Sequence, residues 1–92
     1  MSRFSPHPAI DLRHLRYLVV VIEEGQITRA AQRLHLAQPA LSQSIAKLES
    51  QLGVQLLERH PRGIEPTPAG AAFYAKARVA LAAVEEAHNA LT

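Results

Sequence analysis

Gln38, Pro39, Ser42, Gln43 and Lys47 bring amide, hydroxyl and ammonium groups together in one short stretch. If a helix runs from about Pro39 to Leu52, then at about 100° per residue Pro39, Ser42, Gln43, Ala46, Lys47 and Ser50 lie on one side. Leu41, Ile45, Leu48 and Leu52 lie on the other, where they must face a core. The polar flank carries no acid, so it suits a groove lined with phosphates. A solvated helix face has the same composition, and position separates the two readings. A shorter helix, Thr28 to about His35, is expected just before it across a tight turn. Thr28 is its expected N-cap, and Ala30, Ala31 and Leu34 face inward, the alanines small enough for two helices to cross closely. Two helices joined this way form a helix-turn-helix signature, in which contact residues gather just after the turn.

Other chemistries find little support. Five histidines, His7, His14, His35, His60 and His88, suggest metal binding or a small metal-dependent hydrolase. None stands three or four residues from another, and there is no cysteine, so neither zinc nor any other cofactor is expected. Ser42 has no visible His and acid partners, and no Gly-rich phosphate loop occurs. The expected activity is binding, without catalysis.

The cations are local. The net charge is only +2, but between Thr28 and Gly63 five bases, Arg29, Arg33, Lys47, Arg59 and Arg62, meet two acids, Glu49 and Glu58. Arg29 and Arg33 read as phosphate contacts or solvent-facing charges, and Arg59 has an alternative partner in Glu58 or Glu65. Arg62, between Pro61 and Gly63, stands at the tip of an expected hairpin, where an arginine can reach a minor groove or simply lie in water.

These groups need elements to position them. Ser5-Pro6-His7-Pro8 makes residues 1–8 an expected mobile tail. Asp11 then caps a first helix that ends at Gly25, with Leu12, Leu15, Leu18 or Val19, and Ile22 inward and Arg13, His14 and Arg16 toward solvent. The β-branched run from Leu18 to Ile22 suggests a strand, but the flanking helical period overrides it. After Gly53, Leu56, Leu57 and Arg59 suggest a short strand and Ile64 and Glu65 its return, with Pro66 keeping the second strand very short. Thr67 and Pro68 start a helix to about Leu91, some ~37 Å long. Its apolar face is unusually wide, with Phe73, Ala77, Ala80, Val84, Ala87 and Leu91 overlapping Tyr74, Ala77, Leu81, Val84, His88 and Leu91.

The expected fold is therefore mostly α: a winged helix-turn-helix, three helices plus a short two-stranded wing, over residues 9–66, followed by a long dimerisation helix over 67–92. One domain this small cannot cover that last helix, and two copies side by side would. Hydrophobic residues at 48% permit a core, and aromatics at 4% make it largely aliphatic. No run approaches the roughly 20 apolar residues of a membrane span and no leader is visible, so the chain reads as soluble, unsecreted and, lacking cysteine, compatible with the cytoplasm.

Thr28, Ala30, Ala31, Leu34, Gln38, Pro39, Leu41, Ser42, Ile45, Leu48, Glu49, Leu52 and Gly53 match a known family in identity and spacing. So do Leu56, Leu57, Arg59, Pro61, Arg62, Gly63, Thr67, Ala69 and Gly70. From about Leu12 onward the chain resembles the amino-terminal domain of LysR-type transcriptional regulators. The resemblance implies sequence-specific binding of double-stranded DNA, with the second helix of the pair in the major groove and the wing in the minor groove. It puts Thr28, Arg29, Arg33, Gln38, Pro39, Ser42, Gln43, Lys47, Arg59 and Arg62 near DNA. It also implies a homodimer on an inverted repeat, paired through the last helix by Phe73, Tyr74, Ala77, Leu81, Val84, His88 and Leu91. A small-molecule effector would act only through a longer carboxy-terminal domain absent from this sequence, so a fragment is expected. The family commonly has arginine where Gln43 and Ala46 stand, which removes any direct transfer of base contacts. The rival binding reading is a winged helix that contacts other proteins, its basic face incidental.

Overall fold

The computed structural model describes residues 10–92, so the expected tail over residues 1–8 lies outside the described residues. Four helices and one hairpin follow in order: α1 (Leu12–Glu24), α2 (Ile27–Leu34), α3 (Gln38–Leu52), β1 (Leu57–His60), β2 (Gly63–Pro66) and α4 (Pro68–Asn89).

In α1, Asp11 accepts a hydrogen bond from the His14 amide at 3.0 Å, and Gly25 closes the helix in the left-handed region at φ 70°. The consecutive residues Leu18, Val19, Val20 and Val21 are all buried. A one-sided stripe cannot do this; α1 has α2, α3, β2 and α4 packed around it, so its middle is apolar on every side. That accounts for the β-branched run. At the open end of α1 the expected stripe fails: Leu12 is 49% exposed, while His14, expected toward solvent, is largely covered. Its Nδ1 lies 3.4 Å from Asp11 Oδ1 without forming a hydrogen bond.

Helix α2 begins one residue before the expected start. Gln26 occupies the N-cap position without a side-chain cap, and Thr28 lies inside the first turn, so Thr28 is not the cap. The turn into α3 rests on His35 at φ 57°, with the Leu36 amide donating to the Ala31 carbonyl at 2.9 Å. Histidine is among the residues that tolerate this conformation. Leu41, Ile45 and Leu48 of α3 are buried as the spacing requires, and Leu52 packs against the same core from a half-buried position.

The hairpin is antiparallel, pairing Leu57 with Pro66, Glu58 with Glu65, Arg59 with Ile64 and His60 with Gly63. The first strand starts at Leu57, one residue after the expected Leu56, whose carbonyl instead accepts from the Thr67 amide at 3.0 Å. Thr67 caps α4 by accepting from the Gly70 amide at 3.0 Å. A Cβ on Gly70 would lie 1.9 Å from the Leu56 carbonyl oxygen, so the helix meets the hairpin base too closely for any side chain there. Helix α4 ends at Asn89, about 33 Å long. No helix among the described residues is long and apolar enough to cross a membrane.

Candidate nucleic-acid interface

With Leu41, Ile45 and Leu48 turned inward, α3 exposes Gln38, Pro39, Gln43, Ala46, Lys47 and Ser50, while Ser42 is half-buried beside them. The turn lies at the start of this face, and so does the first turn of α2. There Thr28 Oγ1 donates to Gln38 Oε1 at 3.1 Å, linking the two helices at their amino-terminal ends.

The wing is held against the helices at two places. The Ile64 amide donates to the Gly25 carbonyl at 2.8 Å, and a Cβ on Gly63, at φ 145°, would come within 2.5 Å of that same oxygen. At the other end, Glu49 Oε2 of α3 accepts from the Leu56 amide at 2.7 Å and the Leu57 amide at 3.1 Å. Charge-assisted bonds of this kind are stronger than neutral ones, so Glu49 couples the angle of the hairpin to α3. Sequence reading assigned Glu49 no task. The signal was its place on the border between the inward stripe and the polar face.

Alternation along β1 puts Glu58 and His60 on one face and Arg59 on the other, over Ile64. Arg59 therefore makes no ion pair with Glu58 or Glu65, and the Glu65 carboxylate has His60 Nε2 at 3.7 Å instead. Arg59 and Arg62 line a cavity of about 300 Å³ together with Gln26, Ile27 and Thr28 from the start of α2. The start of α2, which has no side-chain cap, borders the same cavity. Two guanidinium groups beside an uncapped helix start make an electropositive pocket.

Arg33 stands apart. Its guanidinium lies 2.8 Å from Glu23 Oε1 and 3.2 Å from Glu24 Oε2, and these two carboxylates, Glu23 first, raise its pKa above the usual arginine value. It was expected at a phosphate or in solvent; the structure instead neutralises it against the end of α1. Among the described residues, Arg29, Lys47, Arg59 and Arg62 have no carboxylate within ion-pair reach. Arg59 and Arg62 lie on the hairpin beside the start of α2, Arg29 is exposed in the first turn of α2, and Lys47 is exposed on α3 with Gln43 and Ala46.

The residues expected on the dimer face divide. Ala77 is 1% exposed and Phe73 packs against the domain's own core, so both serve the fold of one chain. Tyr74 donates to Glu23 Oε2 at 3.4 Å, with the Arg78 guanidinium 5.8 Å from its ring centre. Leu81, Val84 and His88 line a groove of about 970 Å³ with Leu12, Arg16, Tyr17 and Leu34. Leu91 is 85% exposed, and Val79, absent from the sequence reading, is 68% exposed on another side of α4. No three side chains of the described residues come together to hold a metal ion.

Two crossed helices with an anchored β-hairpin define a winged helix-turn-helix. The family model for the bacterial regulatory helix-turn-helix protein, lysR family, matches residues 12–71. The chain belongs to the lysR family. It is 46% identical over 82 residues to the nitrogen assimilation regulatory protein nac of Klebsiella aerogenes, covering 89% of this chain and 27% of that protein. To the HTH-type transcriptional regulator BenM of Acinetobacter baylyi it is 49% identical over 77 residues, covering 84% and 25%. The chain thus spans about a quarter of the length of the curated relatives it matches. Its fold superposes on the BenM_DBD/catB site 1 DNA complex with a TM-score of 0.86 at 46% identity, covering 89% of this chain and 91% of that one. The CbnR_DBD-DNA complex gives 0.81 at 42%, covering 87% and 92%.

Proposed function

We propose that this chain binds double-stranded DNA sequence-specifically, as the DNA-binding part of a transcriptional regulator. The observation that carries the reading is the set of cations without an acid partner among the described residues, placed on the elements of the helix-turn-helix and its hairpin: Arg29 on α2, Lys47 on α3 beside the exposed Gln43, and Arg59 and Arg62 on the hairpin. Helix α3 enters the major groove, where Gln43 reads a base edge, and Gln38 and Pro39 sit at its rim. Arg62 at the hairpin tip follows the adjacent minor groove. Arg29, Lys47 and Arg59 meet phosphates, and Arg33 stays with its glutamates. The reading is supported by two solved relatives, the BenM and CbnR domains, that are complexed with DNA. No chemical step is part of it, and a chain acting on bacterial DNA works in the cytoplasm.

The exposed Val84, His88 and Leu91, with the half-buried Leu81 lining the same groove as Val84 and His88, support pairing of two chains along α4 and the turn after it, with the two recognition helices about 34 Å apart, or a multiple, on an inverted repeat. An effector would enter through sequence beyond these residues.

Titration of fluorescent duplex DNA across a salt series tests the reading. Each phosphate neutralised contributes a slope of about −0.9 in log K against log salt, so four cations predict roughly −3 to −4 per protomer. Binding that ignores salt, or no duplex binding at all, would favour a protein-contact module.

A further inference from the structure

We propose that Gly63 is a positioning residue for the wing: lacking a Cβ, it lets the hairpin tip close on the Gly25 carbonyl, and that contact fixes where Arg62 stands relative to the recognition helix. The proposal rests on the DNA-binding reading and adds to it the contact that sets the reach of the wing.

The loop of the hairpin is only Pro61 and Arg62, since His60 pairs with Gly63. Gly63 therefore follows Arg62 directly, and the Ile64 amide after it donates to the Gly25 carbonyl at 2.8 Å. A Cβ on Gly63 would stand 2.5 Å from that same oxygen, 3.7 Å from the Gly25 carbonyl carbon and 3.9 Å from Gln26 Cγ. The main obstacle is backbone, which has no rotamer with which to move aside. Gly63 also sits at φ 145°, a conformation that residues with a side chain rarely adopt. Any other residue must turn out of that conformation and back away from the carbonyl, and the tip that carries Arg62 moves with it. The base of the hairpin stays attached meanwhile, because Glu49 holds the Leu56 and Leu57 amides.

The surface on which the tip closes is itself tied to α3. Gly25 lies two residues before α2, the buried Ala30 and Ala31 hold α2 in the core, and the Leu36 amide on the Ala31 carbonyl sets the turn into α3. Arg59 and Arg62 accordingly line one cavity with Gln26, Ile27 and Thr28. Gly25 supplies the contrast. It too has a positive φ, 70°, but a Cβ there would find nothing nearer than the Ile64 carbonyl oxygen at 3.9 Å, an ordinary contact. A methyl group at position 25 strains the end of α1 and leaves the hairpin in place, whereas one at position 63 pushes on the wing.

The test is a double-mutant cycle on DNA affinity. Wild type, Arg62→Ala, Gly63→Ala, the combined Arg62→Ala and Gly63→Ala protein, and Gly25→Ala are titrated with a duplex selected by wild type. The titrations cover a salt series and are made below the lowest melting temperature of the set. Gly63→Ala is expected to lower the salt slope by about one, as Arg62→Ala does. The combined protein should bind within about twofold of either single variant, because a guanidinium already out of reach has nothing left to lose. Gly25→Ala should melt lower yet keep the wild-type slope. A folded Gly63→Ala protein with the wild-type slope overturns the proposal. Losses that add in the combined protein also overturn it, since Gly63 would then serve the fold without placing Arg62. If Gly63→Ala does not fold, one glycine inserted between Arg62 and Gly63 takes its place in the cycle. Gly63 then stays on the Gly25 carbonyl while the arginine stands one residue further from it, and a full slope there overturns the proposal as well. An Arg62→Ala slope equal to that of wild type removes the wing contact and the proposal with it. If wild type selects no duplex, the DNA-binding reading itself falls, a result distinct from all the others.

Discussion

Helices α3 and α4 are both amphipathic, yet they spend their apolar residues in opposite ways. In α3, Leu41, Ile45 and Leu48 are buried within one chain, and what remains outside is polar, small or cationic. In α4, only Gly70 and Ala77 are buried, while Val79 and Val84, with Leu91 just past its end, are 45% exposed or more. One face is finished by its own domain and leaves polar, small and cationic groups outward. The other is left incomplete, and a second apolar surface is what would complete it. The charges divide likewise. Arg29, Lys47, Arg59 and Arg62, on α2, α3 and the hairpin, have no acid partner among the described residues, whereas Arg33, one turn beyond Arg29 along α2, is held by Glu23 and Glu24.

The contrast can be broken at α4 first, where the largest effect is expected. Val84→Glu puts a charge in the proposed contact between two chains, where it would be buried without a partner. Analytical ultracentrifugation should show a monomer at micromolar concentration. Affinity for an inverted-repeat duplex should fall by about 100-fold or more, because the second half-site is no longer held at high local concentration. A variant that still sediments as a dimer would move the interface to another face of the helix, such as that of Val79.

A smaller effect separates the two kinds of arginine. Arg62→Ala should lower the salt slope of DNA binding by roughly one, with folding unchanged. Arg33→Gln should leave that slope where it is and lower thermal stability instead, since Glu23 and Glu24 lose their counter-charge. Equal slopes for Arg62→Ala and wild type would remove the wing-tip contact. A reduced slope for Arg33→Gln would mean that Arg33 leaves its glutamates to reach phosphate.

The smallest effect lies at the start of α1. The His14 amide, bonded to Asp11, holds the Asp11 carboxyl below its ordinary value of 3.8. A depressed pKa means that the ionised cap stabilises the fold above the unfolded value and loses that contribution as pH falls through the lower, folded one. The melting-temperature advantage of wild type over Asp11→Ala should therefore be full near neutrality and narrow below about pH 4. A constant difference across that range would mean that Asp11 acts by its shape alone.

Much of this architecture was legible in the sequence because the elements facing water on one side carry a clean period. The α3 stripe, the Gly53 stop, the Pro61-Arg62-Gly63 tip and the Thr67-Pro68 start are local signals, and local chemistry decides them. Helix α1 was harder to read. Surrounded by four elements, it buries Leu18 to Val21 in a row, which no single stripe describes. The candidate site was legible as a set of residue types but not as a set of partners. Arg33 meets Glu23 and Glu24 only because α2 folds back on α1, and Thr28 meets Gln38 across ten residues of chain. Glu49 ties α3 to the hairpin through amides, groups that every residue carries and that leave no mark in sequence.

The account stands on the claim that the outward face of α3 reads bases, and Gln43 is its most direct test. Gln43 is exposed near the amino-terminal end of α3, opposite the buried leucines, and its amide matches the N6 donor and N7 acceptor of adenine. Binding sites should be selected from random duplexes with wild type, Gln43→Ala and Gln43→Arg. The account predicts that Gln43→Ala costs about 1 to 3 kcal/mol on the preferred site and little on random DNA, and that Gln43→Arg shifts one position of each half-site toward guanine. An identical base preference in all three proteins would contradict it.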